Sequence, residues 1–199
     1  MDWLLYEEDA RSKGYKLICG VDEAGRGPLA GPVCAAAVIL PPNIIIAGIN
    51  DSKKLSEKKR ESLFDVITGT AISYSIAYAT VEEIESMNIL TATMLAMKRA
   101  VEGLDVKPDY VMIDGNRTPD ISMECDSIVK GDAKSMSIAC ASVLAKVSRD
   151  RLLREYAKEY PQYHFEKNKG YGTKLHTQAL KEYGPCPYHR PSFLGKILK

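Results

Sequence analysis

The stretch Gly20-Val21-Asp22-Glu23-Ala24-Gly25-Arg26-Gly27-Pro28 places two adjacent acids between an apolar run and a glycine-rich turn. The apolar run at residues 17–21 is short, continuous and followed by turn residues, which predicts a buried strand. Asp22 and Glu23 therefore lie where the strand ends, and hard cations such as Mg²⁺ prefer such carboxylate oxygens. Neighbouring strand residues point to opposite faces, so both acids reach one cation only if the strand ends or bends. The two glycines permit a bend, although an acid pair here is also typical of a solvated turn.

Two more strands are predicted close behind this stretch. Residues 33–40 form an apolar run and residues 71–80 alternate between the two faces, so the three strands form an antiparallel meander. Ser56 can cap a helix that interrupts the meander. Thr80 and the glutamate three residues later match a capping box. A helix should follow, with apolar residues spaced by three and four up to Gly103.

The second half of the sequence adds two strands that end in acids. Residues 108–115 and 127–132 have this pattern, and helices are predicted at about residues 136–159 and 174–183. Strands with interleaved helices predict an α/β layered domain. The antiparallel meander makes its sheet mixed rather than purely parallel.

Composition restricts the class of protein. The 199 residues are 45% apolar, which suits one domain, and no run reaches membrane-spanning length. The first residues are acidic and soon polar, so no secretory signal is expected and the location should be cytoplasmic. Five cysteines without a Cys-x-x-Cys pair are typical of free thiols in a reducing compartment. Cys186 and His189 have a metal-like spacing but no second ligand pair, so we do not expect zinc.

Charge is distributed unevenly along the chain. Residues 167–199 hold seven basic residues and one acid, although the whole chain carries only +1. A basic end beside an acidic body can attract a polyanion while the body holds metal. A solvated basic face is the alternative interpretation.

The acids that end the predicted strands are candidate metal ligands: Asp22, Glu23, Asp114 and Asp132. If the strands are neighbours, these carboxylates converge and repel one another, and cations relieve that repulsion. A pair of Mg²⁺ or Mn²⁺ ions would suit in-line displacement at phosphorus. The three histidines occur late, in polar surroundings, and no Walker-type glycine loop is present. Neither feature therefore offers a competing site.

A further set of motifs gives a family resemblance. The signature stretch at residues 20–33 resembles that of bacterial ribonuclease HII, and other blocks follow in family order from about residue 17 onward. These blocks include Asn50-Asp51-Ser52-Lys53-Lys54-Leu55-Ser56, Ile113-Asp114-Gly115-Asn116, Lys130-Gly131-Asp132, Ala141-Ser142-Val143-Leu144-Ala145-Lys146-Val147 with Arg149-Asp150, Lys169-Gly170-Tyr171-Gly172-Thr173 and His189-Arg190-Pro191-Ser192-Phe193. An ordered set of this kind is far more specific than one motif, and it favours the metal-site interpretation of Asp22-Glu23.

The resemblance implies a ribonuclease H-like fold with a mixed five-stranded sheet flanked by helices and a helical C-terminal part. Residues 1–199 would then form one catalytic domain, in which residues from about 160 to 199 grip the substrate. The implied activity is metal-dependent hydrolysis of the RNA strand in RNA–DNA hybrids. It also includes incision 5′ of single ribonucleotides in duplex DNA, which belongs to DNA replication and repair. Two Mg²⁺ or Mn²⁺ ions would be held by the four acids, in a monomer without a membrane segment.

The resemblance also assigns substrate contacts. The backbone of Gly25, Arg26 and Gly27 would contact the 2′-hydroxyl at the RNA–DNA junction, the group that distinguishes RNA from DNA. Tyr171 would stack on the deoxyribose just beyond the junction. Four lysines are candidate phosphate contacts, although most surface lysines are merely solvated. They are Lys53, Lys54, Lys146 and Lys169.

Three alternatives remain at this point. A ribonuclease HIII-like enzyme would cleave hybrids but incise single ribonucleotides poorly. Such relatives usually have an additional N-terminal domain and another residue in place of Arg26, whereas about sixteen residues precede the first predicted strand here. A junction resolvase of the same superfold would prefer branched DNA. A catalytically silent nucleic-acid binding module would bind duplexes without cutting them.

Overall fold

The sheet has five strands in the order β3-β2-β1-β4-β5. The computed structural model describes residues 2–198. Its strands are β1 (Ile18–Ala24), β2 (Val33–Ile39), β3 (Ser73–Ala79), β4 (Tyr110–Asp114) and β5 (Glu124–Ile128). The first three form the predicted antiparallel meander, and β4 and β5 run parallel to β1. The expected mixed sheet is confirmed, with β1 at its centre.

Helices cover both faces of this sheet. They are α1 (Leu5–Ser12), α2 (Glu57–Thr70), α3 (Val81–Met87), α4 (Ile89–Glu102), α5 (Met136–Glu159), α6 (Phe165–Asn168), α7 (Lys174–Tyr183) and α8 (Pro191–Leu194). The predicted caps are confirmed, because Ser56 accepts a hydrogen bond from the Lys59 amide and Thr80 forms the capping box with Glu83. The predicted bounds of α5 and α7 are also confirmed.

Two apolar cores lie on opposite faces of the sheet, and β2 contributes to both. Val33, Ala35, Ala37 and Ile39 face α4, whereas the residues between them face α5 and α2. This alternation explains why every residue of β2 is buried.

Gly20 allows α5 to lie close against β1. A Cβ at this position would be 2.2 Å from the Ser137 carbonyl carbon, a distance that no side chain can occupy. Small residues of α5, including Ala139, Ala141 and Ala145, are fully buried in the same contact. The backbone of α5 therefore follows the strand that carries Asp22 and Glu23.

Three boundaries differ from the sequence-based expectation. Strand β1 continues through the acid pair to Ala24 instead of ending before it. The helix expected after Thr80 is broken at Asn88, which has φ +82° and caps α4 with its own side chain. Strand β5 spans Glu124–Ile128 instead of residues 127–132, Lys130 adopts a left-handed conformation, and Asp132 lies in a 3₁₀ turn rather than at a strand end.

The C-terminal part packs on its own apolar cluster. Tyr163, Phe165 and Leu180 form the centre of this cluster, and His176 and His189 are buried against them. The expectation that the histidines lie in polar surroundings is therefore wrong for these two. All five cysteines are free thiols, as expected. Among residues 2–198, no helix has the length and apolarity needed to cross a bilayer.

Candidate active site

Three acids meet where β1 and β4 lie side by side. Val21 pairs with Ile113 in the parallel register, so the next residues, Asp22 and Asp114, lie beside each other. One carboxylate oxygen each from Asp22, Glu23 and Asp114 lies within 4.8 Å of the others. Strand β4 ends at Asp114 while β1 continues, paired only with β2. Because β4 ends before β1 does, the three carboxylates lie together at the C-terminal end of β4.

Burial and mutual repulsion perturb these acids. Desolvation, followed by the charges of Glu23 and Asp114, raises the pKa of Asp22 well above its usual range. Desolvation also raises the pKa of Asp114, against the opposing hydrogen bonds from the Asp132 and Gly131 amides. The Gly131 amide donates to Asp114 Oδ1 at 2.6 Å. Crowded, desolvated carboxylates fit hard divalent cations, which supply the missing positive charge.

Asp132 lies beside this trio but not within it. Its amide donates to Asp114 Oδ1 at 3.3 Å, whereas its carboxylate lies outside the group of mutually close oxygens. Desolvation and the charges of Asp114 and Asp51 raise its pKa. The structure thus brings three of the four predicted ligands together and places the fourth next to them.

A cavity of about 470 Å³ opens in front of Asp22 and Glu23. Its walls contain most of the predicted substrate contacts: Gly25, Arg26, Gly27, Lys53, Lys146 and Tyr171. Tyr171, which lies between Gly170 and Gly172, is 47% exposed. The Arg26 guanidinium lies 3.3 Å from the Glu23 carboxylate and remains half exposed. The cavity therefore joins the acids to the glycine loop and the tyrosine.

The four lysines differ in position. Burial alone would lower the pKa of Lys53, but the charges of Asp22, Asp132 and other nearby acids raise it. Lys146 reaches the cavity and contacts the Asp150 carboxylate at 2.6 Å, and burial lowers its pKa. Lys54 and Lys169 do not line the cavity, and Lys169 lies 3.5 Å from Glu57 instead.

The two glycines of the loop have different local surroundings. Gly25 has φ +101°, and a Cβ there would lie 2.0 Å from Arg149 Nε. Gly27 has an ordinary φ, and a Cβ there would have Tyr171 Cε1 as its nearest neighbour, at 3.7 Å. The fold therefore requires glycine at position 25, whereas at position 27 it leaves space that a ligand can use.

Sequence reasoning missed two buried arginines beneath this loop. Arg149 and Arg190 are 1% and 0% exposed. Arg190 donates a hydrogen bond to the Gly25 carbonyl in the loop, and Arg149 donates one to the Pro32 carbonyl beyond it. Both residues stand in family blocks, but nothing in the charge pattern marks either of them as buried. Ser142 was also missed; its hydroxyl lies 2.8 Å from that of Ser52 and favours the charged form of Asp22.

Comparisons with known proteins agree with this geometry. A family model described as Ribonuclease HII matches residues 19–196. A protein named Ribonuclease HII from Caldicellulosiruptor saccharolyticus is 56% identical over 193 residues, which are 97% of this chain and 94% of that protein. The ribonuclease H2 from Pyrococcus horikoshii OT3 is similar with a TM-score of 0.76 and 26% identity, covering 92% of this chain and 97% of that one. Bst-RNase HIII in complex with Mn²⁺ shares the fold at 17% identity, with a TM-score of 0.68 and coverage of 88% and 65%.

Proposed function

Because the chain belongs to the ribonuclease HII family, an endoribonuclease family whose members depend on metal ions, we propose that it hydrolyses RNA in RNA–DNA hybrids. We include incision 5′ of a single ribonucleotide embedded in duplex DNA. The observation that carries the proposal is the acid trio, Asp22, Glu23 and Asp114, placed beside a cavity that also contains Tyr171 and the glycine loop.

The acids would hold divalent cations, with Asp132 as the fourth ligand. Two Mg²⁺ or Mn²⁺ ions, when bound, supply water activation and stabilisation of the leaving oxygen. In the hydrolysis, a water oxygen bonds to phosphorus and the P–O3′ bond breaks, which leaves a 5′-phosphate and a 3′-hydroxyl. The raised pKa of Asp22 reflects a site suited to positive charge, because burial and the neighbouring carboxylates of Glu23 and Asp114 disfavour its charged form.

The loop and the tyrosine would select the site of cleavage. Main-chain groups of Gly25, Arg26 and Gly27 would contact the 2′-hydroxyl, since the open space at Gly27 lets a sugar approach the backbone. Tyr171 would stack on the next deoxyribose with its exposed face. Lys53 and Lys146, on the cavity wall, would contact phosphates, together with Lys54 and Lys169 farther out.

The proposed enzyme acts as a monomer in the cytoplasm. One chain supplies all the acids, the loop and the tyrosine. Five free thiols are typical of a reducing compartment.

The first experiment uses a labelled DNA duplex with one ribonucleotide, incubated with Mg²⁺, with Mn²⁺ and with chelator. Metal-dependent incision on the 5′ side of the ribonucleotide is expected. Cleavage of a long hybrid without incision of this duplex would favour a ribonuclease HIII-like enzyme. Cleavage of neither would favour a binding module.

Asp114→Asn tests the metal site directly. The variant should lose cleavage of both substrates and still bind the hybrid, because the asparagine oxygen can accept the Gly131 amide as Asp114 does. Asp120→Asn is the matched control, since Asp120 is fully exposed and far less constrained. Unchanged turnover of Asp114→Asn would exclude Asp114 as a metal ligand.

A further inference from the structure

Arg149 bonds to two segments that are far apart in sequence. Its guanidinium donates to the carbonyls of Pro32 at 3.0 Å and Ala30 at 2.8 Å, in the segment that continues from the glycine loop, and to the Lys169 carbonyl at 2.9 Å. Lys169 is two residues before Tyr171. One buried side chain therefore joins the loop to the segment that carries the tyrosine.

The backbone reinforces this junction. The Leu29 amide donates to the Gly170 carbonyl at 2.8 Å. A Cβ at Gly170 would lie 2.6 Å from the Ala30 carbonyl oxygen, so the two segments are in direct contact. The separation between the loop and Tyr171 is thus set at this contact, directly above Arg149.

The loop leaves a place for the Arg149 side chain at Gly25. A Cβ at that position would overlap Arg149, with Nε at 2.0 Å and Cδ at 2.4 Å. At Gly31 the space is tighter than usual but not closed, because a Cβ there would lie 3.0 Å from Leu153 Cδ2 and 3.2 Å from Arg149 Nη2. The Arg149 side chain therefore fits only where the loop has no side chain at position 25.

An arginine suits this position better than a lysine. A guanidinium offers five donors in a fixed plane, whereas an ammonium offers three from one atom. Within residues 2–198, Arg149 forms no ion pair with a carboxylate, and burial lowers its pKa. Burying a charge that only carbonyl groups neutralise costs free energy. Neutral side chains could hold a loop whose exact position did not matter, so the buried arginine indicates that this position does matter.

We propose that Arg149 is a positioning residue that determines specificity, because it fixes the separation between residues 25–32, which include the glycine loop at residues 25–27, and Tyr171. The 2′-hydroxyl and the deoxyribose that follows it are then recognised together, at one spacing. This inference rests on the proposed function, in which the loop and Tyr171 contact adjacent sugars.

Arg190 has a different arrangement and serves as a comparison. It donates to the carbonyls of Gly25, Arg26, Pro28 and Gly31, all within residues 25–31, and to none near Tyr171 among residues 2–198. Arg190 therefore holds the shape of the loop, whereas Arg149 holds its distance from the tyrosine.

The test compares Arg149→Lys and Arg149→Gln with the wild-type enzyme. Arg151→Lys is the matched control on the same helix, because Arg151 is exposed and contacts Glu61. We measure kcat/KM on a duplex with one ribonucleotide and on a hybrid with an all-RNA strand. The single-ribonucleotide value should fall by about tenfold or more, because small misplacements of reading groups are costly. The all-RNA value should fall by less than about threefold, because every sugar there offers a 2′-hydroxyl. Equal losses on both substrates, or no loss, would overturn the proposal.

A double-variant cycle separates positioning from general structure. If Arg149 acts through Tyr171, Arg149→Lys combined with Tyr171→Ala should cleave the single-ribonucleotide duplex no worse than Tyr171→Ala alone. Multiplied losses would contradict the proposal. Amide hydrogen exchange provides a readout without catalysis: exchange in Arg149→Lys should accelerate at residues 26–32 and 169–172 together and stay unchanged in α4. Acceleration in only one of these segments would also contradict it.

The controls distinguish a failure of the proposed function from a failure of the inference about Arg149. If Tyr171→Ala alone leaves single-ribonucleotide cleavage unchanged, the proposed function of Tyr171 fails. If Tyr171→Ala reduces it and Arg149→Lys does not, only the inference about Arg149 fails.

Discussion

Replacing Asp22 by asparagine should stabilise the metal-free protein while it abolishes cleavage. Asp22 is 5% exposed, and its carboxylate lies within 4.8 Å of oxygens from Glu23 and Asp114. Two full charges at that distance repel by about 3.5 kcal/mol at an effective dielectric constant of about 20. Protonation relieves part of this repulsion in the metal-free state, so we expect Asp22→Asn to raise the free energy of unfolding by about 2 kcal/mol at pH 8. The asparagine oxygen can still accept the Glu23 amide, which donates to Asp22 at 2.7 Å.

Thermal unfolding measures this gain. About 1 kcal/mol moves the Tm of a domain of this size by roughly 2–4 °C, so Asp22→Asn should raise Tm by about 4–8 °C in chelator. Added Mg²⁺ should raise the Tm of the wild-type protein, because it binds only the folded state, and should have much less effect on the variant. Asp120→Asn, an exposed control, should leave Tm unchanged in both conditions.

The pH dependence of the free energy of unfolding tests the sign of this electrostatic effect. Folding raises the pKa of Asp22 above its value in the unfolded chain. The folded state therefore holds the proton more tightly, and stability is lost as pH rises through the raised pKa. The advantage of Asp22→Asn should grow from pH 5 to pH 8. A variant less stable than wild type in chelator at pH 8, or an advantage that shrinks with rising pH, would refute the reasoning.

The remaining predictions concern the cavity and the C-terminal cluster. Tyr171→Ala should weaken single-ribonucleotide cleavage more than duplex binding, and equal losses by kinetics and by titration would contradict stacking at the junction. Gly27→Ala should fold normally and lose cleavage, whereas Gly25→Ala should lower the Tm because its Cβ meets Arg149; equal Tm losses would contradict this distinction. Burial and the neighbouring His176 lower the pKa of His189 to about 4, so stability should be full above about pH 6.5 and fall towards pH 4 as the unfolded state takes up the proton. His189→Gln should flatten that curve in urea titrations, and an unchanged slope would count against it.

Much of the fold could be predicted from local patterns. The apolar run before Asp22 and the one ending at Asp114 are true strands, and α5 begins after Ser135, which caps it, and ends before Pro161. The break at Asn88 was missed because the apolar spacing continues across it. The end of β5 was missed because nothing local shows that Lys130 is left-handed.

Those parts of the candidate site that depend on local sequence patterns could also be predicted. Acids at strand ends indicate a metal site from sequence, and the motif order gives the loop and Tyr171. Arg149 also stands in a family block, but its burial and its contacts could not be found this way, because an arginine in a charged helical segment is normally exposed. Its burial depends on carbonyls from residues 30, 32 and 169, which only the tertiary structure brings together.

Helix α5 carries both the support of the acids and the support of the loop. Ser142 lies next to Asp22, and Arg149, seven residues later on the same helix, lies under Gly25. Seven residues of an α-helix span about 10.5 Å of rise. In the proposed function, one rigid helix therefore supports both the residues that hold the metal ions and the loop that contacts the sugar. If that function holds, a change in the length of loops elsewhere would leave the distance between the recognised ribonucleotide and the cleaved bond unchanged, because helix α5 sets it.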